Sequence, residues 1–106
     1  MKELKGNGPA GKQPDIASVV VSLNGRDEGK RFLVVGTEDG YSMLADGKRR
    51  RAEKPKRKKN KHVRLEGKAN DLIAAKLTGG GKATNNEIRR ALAQYAADRE
   101  EKEGGM

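Results

Sequence analysis

The chain has no cysteine and no tryptophan, and its 106 residues include only three aromatic side chains, three prolines and one histidine. Without cysteine there is no disulfide framework, no thiolate zinc site and no thiol nucleophile. A small secreted domain this poor in apolar residues ordinarily needs disulfide staples, so their absence favours the cytoplasm. No apolar run approaches the roughly 20 residues of a membrane span. The stretch from Met1 to Pro14 is polar and glycine-rich, unlike the apolar heart of a signal peptide. No Ser-His-Asp pattern, P-loop or dinucleotide fingerprint occurs, and Gly79-Gly80-Gly81 lacks the Lys-Ser/Thr that would follow in a P-loop. His62 alone cannot build a metal site. These absences predict a cytoplasmic protein that is not an enzyme, with no metal, cofactor, small-molecule substrate or membrane partner.

What is present is charge. Apolar residues make up 33% and charged residues 37%, so any core is thin and stability is marginal for this length. Twenty-four Lys and Arg face fifteen Asp and Glu, giving +9 and a pI near 10.0. A pI above about 9 is the electrostatic footprint of a nucleic-acid binder, although cationic membrane-surface proteins share it.

Residues 1–15, low in hydrophobicity and rich in glycine, read as a flexible lead. Val19-Val20-Val21 and Phe32-Leu33-Val34-Val35 are β-type runs separated by a glycine-containing turn, the pattern of a hairpin. Glu38-Asp39-Gly40 marks the next turn and Tyr41 to Ala45 a third strand. Asp46-Gly47 is a strong hairpin signal, predicting a fourth strand that leaves through Lys48 to Lys54. Pro55 cannot donate to a ladder and so marks a strand end or an edge. A fifth short strand is expected over His62 to Leu65. Glu38, Asp39 and Asp46 read as turn formers. Five short strands at this spacing suggest a small barrel or half-barrel over residues 16–66.

The period changes over residues 67–106. Asn70 is placed to cap a short helix through Leu77, with Leu72, Ile73 and Leu77 apolar, stopped by the glycine run. Thr84-Asn85-Asn86-Glu87 fits a capping box. Ile88, Ala91, Leu92, Tyr95 and Ala96 then recur at helical spacing, in a helix expected to fray over Asp98 to Glu103 and end at Gly104. That stripe either packs on the chain's own body or docks a partner protein. The fold class expected is thus mostly β with C-terminal helices, an α+β arrangement.

The excess charge lies in one place. Lys48, Arg49, Arg50, Arg51, Lys54, Lys56, Arg57, Lys58, Lys59, Lys61 and Arg64 face Glu53 alone, leaving the rest of the chain slightly acidic. Such a run repels itself and needs a polyanion to neutralise it. Arginines can fork onto phosphate oxygens, while lysines act as point charges. The blander reading is a solvated arm or a localisation signal. Against it, the run leaves a turn and re-enters a strand, so a folded body would present it. Phe32 reads as core, Tyr95 as helix face, and Tyr41 as either barrel packing or a stacking platform. With so few aromatics, recognition would rest on backbone and shape more than on stacked bases.

The valine run, Gly25-Arg26-Asp27-Glu28-Gly29-Lys30 and the strand from Phe32 to Val35 resemble the KOW motif. The likeness is to the KOW domain of archaeal and eukaryotic large-subunit ribosomal proteins and to short bacterial KOW-domain RNA-binding proteins. It continues through Ala45-Asp46-Gly47-Lys48-Arg49-Arg50 to Lys61-His62 and on to Thr84-Asn85-Asn86-Glu87-Ile88-Arg89, covering roughly residues 16–95. The resemblance implies a small SH3-like barrel that binds RNA, with ribosomal RNA or the ribosome as partner. It places Gly29 at the motif's characteristic glycine, in a tight bend. Gly25, Arg26, Asp27, Lys30 and Arg31 would line the loop facing RNA, and His62 would be either a further contact or a packed, half-exposed barrel residue. For Asp27 a turn-capping role competes with contact. The alternatives are a protein-interaction module of the transcription or translation machinery, and a basic DNA-compacting protein.

Overall fold

The structure is a computed structural model describing residues 13–104, with side chains described to Glu100. Residues 1–12 of the expected lead lie outside the described residues; Gln13, Pro14 and Asp15 are described, and Pro14 is buried. Eight elements follow in order. They are β1 (Ser18–Ser22), β2 (Arg31–Glu38), β3 (Tyr41–Ala45), β4 (Lys56–Lys59), a 3-10 turn (Asn60–His62), β5 (Val63–Lys68), α1 (Asp71–Thr78) and α2 (Asn85–Gly104). The strands form one antiparallel sheet in the order β4-β3-β2-β1-β5, an open α+β arrangement with β4 and β5 at its edges.

Both faces of the sheet are covered, which is why β1 and β2 read as apolar runs rather than as an alternation. Val19, Leu33 and Ala45 point to one face, where they pack with Ile73 and Leu77 of α1 and Ile88 and Ala91 of α2. Val20, Phe32, Val34, Leu44 and Val63 form a second cluster on the other face. The β1–β5 register shifts between Val19 and Val20, where Glu66 of β5 is the extra residue, and the β2–β3 register between Val34 and Gly36, where Val35 of β2 is; bulged strands bend. Ala17 is the one described non-glycine residue with positive φ, at 71°. Two ladder-like bonds hold it there, its N–H to Val34 and its carbonyl from Ala69, at 2.8 and 3.0 Å.

The helices form where the sequence places them. The Asn70 side chain accepts from the Ile73 N–H at 3.1 Å, capping α1. The Thr84 hydroxyl accepts from Glu87 N–H, and the Glu87 carboxylate accepts from Thr84 N–H at 2.8 Å. Ile73 and Leu77 are buried, whereas Leu72 is 85% exposed and belongs to neither core. On α2 the stripe begins in the core at Ile88 and Ala91 and becomes half-buried at Leu92, Tyr95 and Ala96.

One predicted element is displaced. Residues 48–54 are not a strand, and Asp46-Gly47 is not the tip of a hairpin. The Asp46 carboxylate accepts from the N–H groups of both Lys48 and Arg50 at 2.9 Å. The Arg50 carbonyl in turn accepts from the Asp46 and Gly47 N–H groups. These bonds give the backbone a closed loop in place of a ladder. The strand starts one residue after Pro55, whose fixed φ suits a strand entrance and whose missing N–H costs nothing there. The fifth strand likewise starts one residue late, because His62 closes the 3-10 turn, and it runs on to Lys68.

Candidate nucleic-acid interface

Two loops build the cationic surface: residues 23–30 between β1 and β2, and residues 46–55 between β3 and β4. In the first, Gly25 and Gly29 have φ of 80° and 83°. The Gly29 N–H donates to the Ser22 carbonyl at 2.8 Å, and no atom crowds a Cβ built there. The requirement for glycine at 29 is therefore conformational rather than steric.

β4 extends the surface along an edge of the sheet. Its pairing with β3 sets Lys58 opposite Ser42 and Lys56 opposite Leu44, so both lysines lie on the Phe32 face. There the chain folds the first loop over them. Asp27, only 5% exposed, approaches Arg50 at 3.2 Å and Lys56 at 3.8 Å. Lys58 is buried and donates to the Asn24 carbonyl at 3.0 Å. Burial pushes the Lys58 ammonium below its usual value, and the neighbouring Lys56 charge acts in the same direction. Arg50, Lys56 and Lys58 are thus internal struts, and Asp27 is their buried counter-ion rather than a cap of its own turn.

The other face of β4 carries Arg57 and Lys59. Arg57 lies flat over the Tyr41 ring, 3.6 Å from its centroid, and pairs with Glu38 at 2.7 Å. Tyr41 is therefore covered by a side chain of its own molecule. Arg31, at the start of β2 directly after the first loop, pairs with Glu66 at 2.8 Å and lies 5.4 Å from the Tyr95 ring. Against the desolvation of its site, bonds from Arg31 and Arg64 hold Glu66 below its ordinary carboxylate range. His62 is half-buried, and its carbonyl accepts from Leu23 N–H, tying the 3-10 turn to the first loop.

The first two turns of α2 clamp the second loop. Arg89 donates to the Gly47 carbonyl at 2.5 Å, Ala52 N–H to the Asn85 side chain at 2.7 Å, and the Asn85 amide to Glu53 at 2.8 Å. Arg51 also pairs with Glu53, at 2.9 Å. The hydrogen bonds from Arg51 and Asn85 lower the Glu53 pKa to about 2. Nothing in the spacing of Asn85 and Arg89 announces this clamp, since both read as ordinary helix-start residues.

The remaining cations of the 48–64 segment are uncommitted among the described residues. Lys48, Arg49, Lys54, Lys59 and Lys61 are exposed, and their side chains make no ion pair or hydrogen bond among the described residues; Arg26 in the first loop is likewise exposed and unbonded. The basic segment is thus divided between cations that hold two loops together and cations that face solvent. Among the described residues no group of His, Asp or Glu is arranged to hold a metal ion, and no helix is long and apolar enough to cross a membrane.

The division predicts a stability effect. Asp27→Ala would leave Arg50 and Lys56 facing each other beside Lys58 without a counter-charge. Removing one partner of a fully buried pair costs about 3–5 kcal/mol. The side chains of Arg50 and Lys56 are about one-third exposed, so solvent screening reduces the expected loss to about 2 kcal/mol. Urea unfolding of the wild type and the variant measures it, with a fall in midpoint and no change in slope.

No protein-family model matches the chain, and a search of curated proteins likewise finds no match.

Proposed function

We propose that the protein binds structured RNA, ribosomal RNA in particular, by non-catalytic contact through the two cationic loops and the β4 edge. The observation carrying this reading is the set of cations at Lys48, Arg49, Lys54, Lys59 and Lys61, exposed and without a side-chain bond among the described residues, projecting from a body that commits Arg50, Lys56 and Lys58 to its own folding. A disordered arm would have no need of such struts. The reading takes the five-stranded sheet, a meander of four strands with β5 returning beside β1, as an SH3-like KOW barrel; its strand order and the Gly25–Lys30 turn support that assignment. Aromatic side chains free to stack are lacking, which favours recognition by backbone and shape.

A salt titration tests this. With about five phosphates neutralised, log affinity for a ribosomal RNA fragment should fall with log salt at a slope of roughly −3.5 to −4.5. An RNA duplex should outcompete a DNA duplex of equal length, because an RNA reader uses A-form shape and the 2′-hydroxyl. Failure to bind ribosomal RNA at low ionic strength would overturn the proposal.

A further inference from the structure

A groove of about 450 Å³ opens where the end of the basic loop meets the sheet and the α1–α2 connection. Its floor is apolar, made by Val35 and Met43 of the sheet with Leu77 and Ala83. The basic loop lines it through Ala52, Glu53 and Pro55, and the α1–α2 connection through Gly81 and Lys82. The volume is at the lower end of the roughly 300–1,000 Å³ of small-ligand sites. That admits a single planar ring system and excludes a duplex.

The polar group in the groove is chemically selective. Glu53 is ionised at any physiological pH and is therefore an acceptor only. Its Oε1 takes one bond from Asn85 and its Oε2 one from Arg51, which orients the exposed carboxylate and leaves each oxygen a further acceptor position. An oriented acceptor pair is matched by two adjacent donors on a ring edge. Among the nucleobases the Watson–Crick edge of guanine has this, with N1–H beside the N2 amine. Adenine, cytosine and uracil each set an acceptor next to their donor, which a carboxylate repels. Lys82, which lines the groove, and the exposed Lys54, next to Glu53 in the chain, supply charge for the phosphates on either side of such a base.

We propose that this groove receives the base of one unpaired guanosine of the bound RNA, with Glu53 accepting from its Watson–Crick edge. The inference rests on the RNA-binding reading and deepens it: a shape-recognised helix carries one extruded base that the protein identifies.

The experiment uses the full chain and four RNA hairpins of one sequence, differing in a single bulged position that is guanosine, inosine, adenosine or abasic. Binding is followed by fluorescence anisotropy at fixed salt. The wild type should prefer the guanosine bulge about tenfold or more over the abasic one, the scale of a good bidentate base contact. Inosine, lacking the N2 amine, should fall between. Glu53→Gln retains an oxygen for Asn85 and should abolish the preference for guanosine over adenosine. Gly36→Val narrows the groove beside Met43, whose Cγ lies 3.4 Å from a Cβ built at Gly36. It should remove the bulge preference and leave the salt slope intact. Equal wild-type affinity for all four hairpins, with a steep salt slope, would overturn the guanosine site and leave RNA binding standing. Absence of binding to every hairpin at low salt would overturn both.

Discussion

Replacing Lys48, Arg49, Lys54, Lys59 and Lys61 together with glutamine is expected to weaken RNA binding about a thousandfold near 0.1 M salt and to flatten the salt dependence. Thermal stability should hardly change. These side chains form no ion pair or hydrogen bond among the described residues, so their removal orphans nothing. Losing five like charges from an overcharged segment also relieves self-repulsion. The companion variant, with Arg50, Lys56 and Lys58 changed to glutamine, removes fewer charges but strips Asp27 and the Asn24 carbonyl of their partners. It should lose stability first and binding as a consequence. Anisotropy titrations of both proteins, read beside their melting temperatures, separate the two groups. If the five-residue variant bound as tightly as the wild type, the uncommitted cations would not be the contact surface.

That partition was not legible in the sequence, and the reason is physical. A run of eleven cations looks uniform in one dimension, whereas the pleat of β4 sends Lys56 and Lys58 to one face and Arg57 and Lys59 to the other. Which face is interior depends on the register with β3, set by pairs such as Ser42 with Lys58. Local signals with short reach are legible: the Asn70 cap, the Thr84–Glu87 box, the glycine stop after α1, and the first three strands. The misplaced fourth strand came from a competition within one residue's reach. Asp46 and Gly47 can make a hairpin tip, but the Asp46 carboxylate bonds forward to Lys48 and Arg50 and closes a loop first. The counter-ion role of Asp27 is hidden for the opposite reason. Its partners lie 23 and 29 residues away, a distance no local pattern spans.

Gly47→Ala is the single substitution expected to damage the molecule most. Gly47 has φ of 80°, and a non-glycine residue held there costs about 1–2 kcal/mol. A Cβ at this position would also lie 2.8 Å from Arg89 Cγ and closer still to the Asn85 carbonyl oxygen. Backbone cannot yield as a flexible side-chain tip does, and overpacking of this kind adds about 1–3 kcal/mol. The sum, about 3 kcal/mol, is comparable to the three hydrogen bonds that clamp the loop, at about 1 kcal/mol each. The variant is therefore expected to divide its damage: α2 and the loop separate in part of the population, and the rest is strained. Melting should fall by more than about 10 °C, and the Ala52 amide, held by Asn85 in the wild type, should exchange with solvent far faster. RNA affinity should fall although no cation has been removed, since the clamp is what presents Lys48 and Arg49. Gly40→Ala supplies the control, because Gly40 has nearly the same φ, 79°, with nothing within 4 Å of a built Cβ. It should show the conformational cost alone, about 1–2 kcal/mol, with RNA binding intact. Equal losses for the two substitutions would mean that the approach of Gly47 to α2 contributes nothing to holding the basic loop.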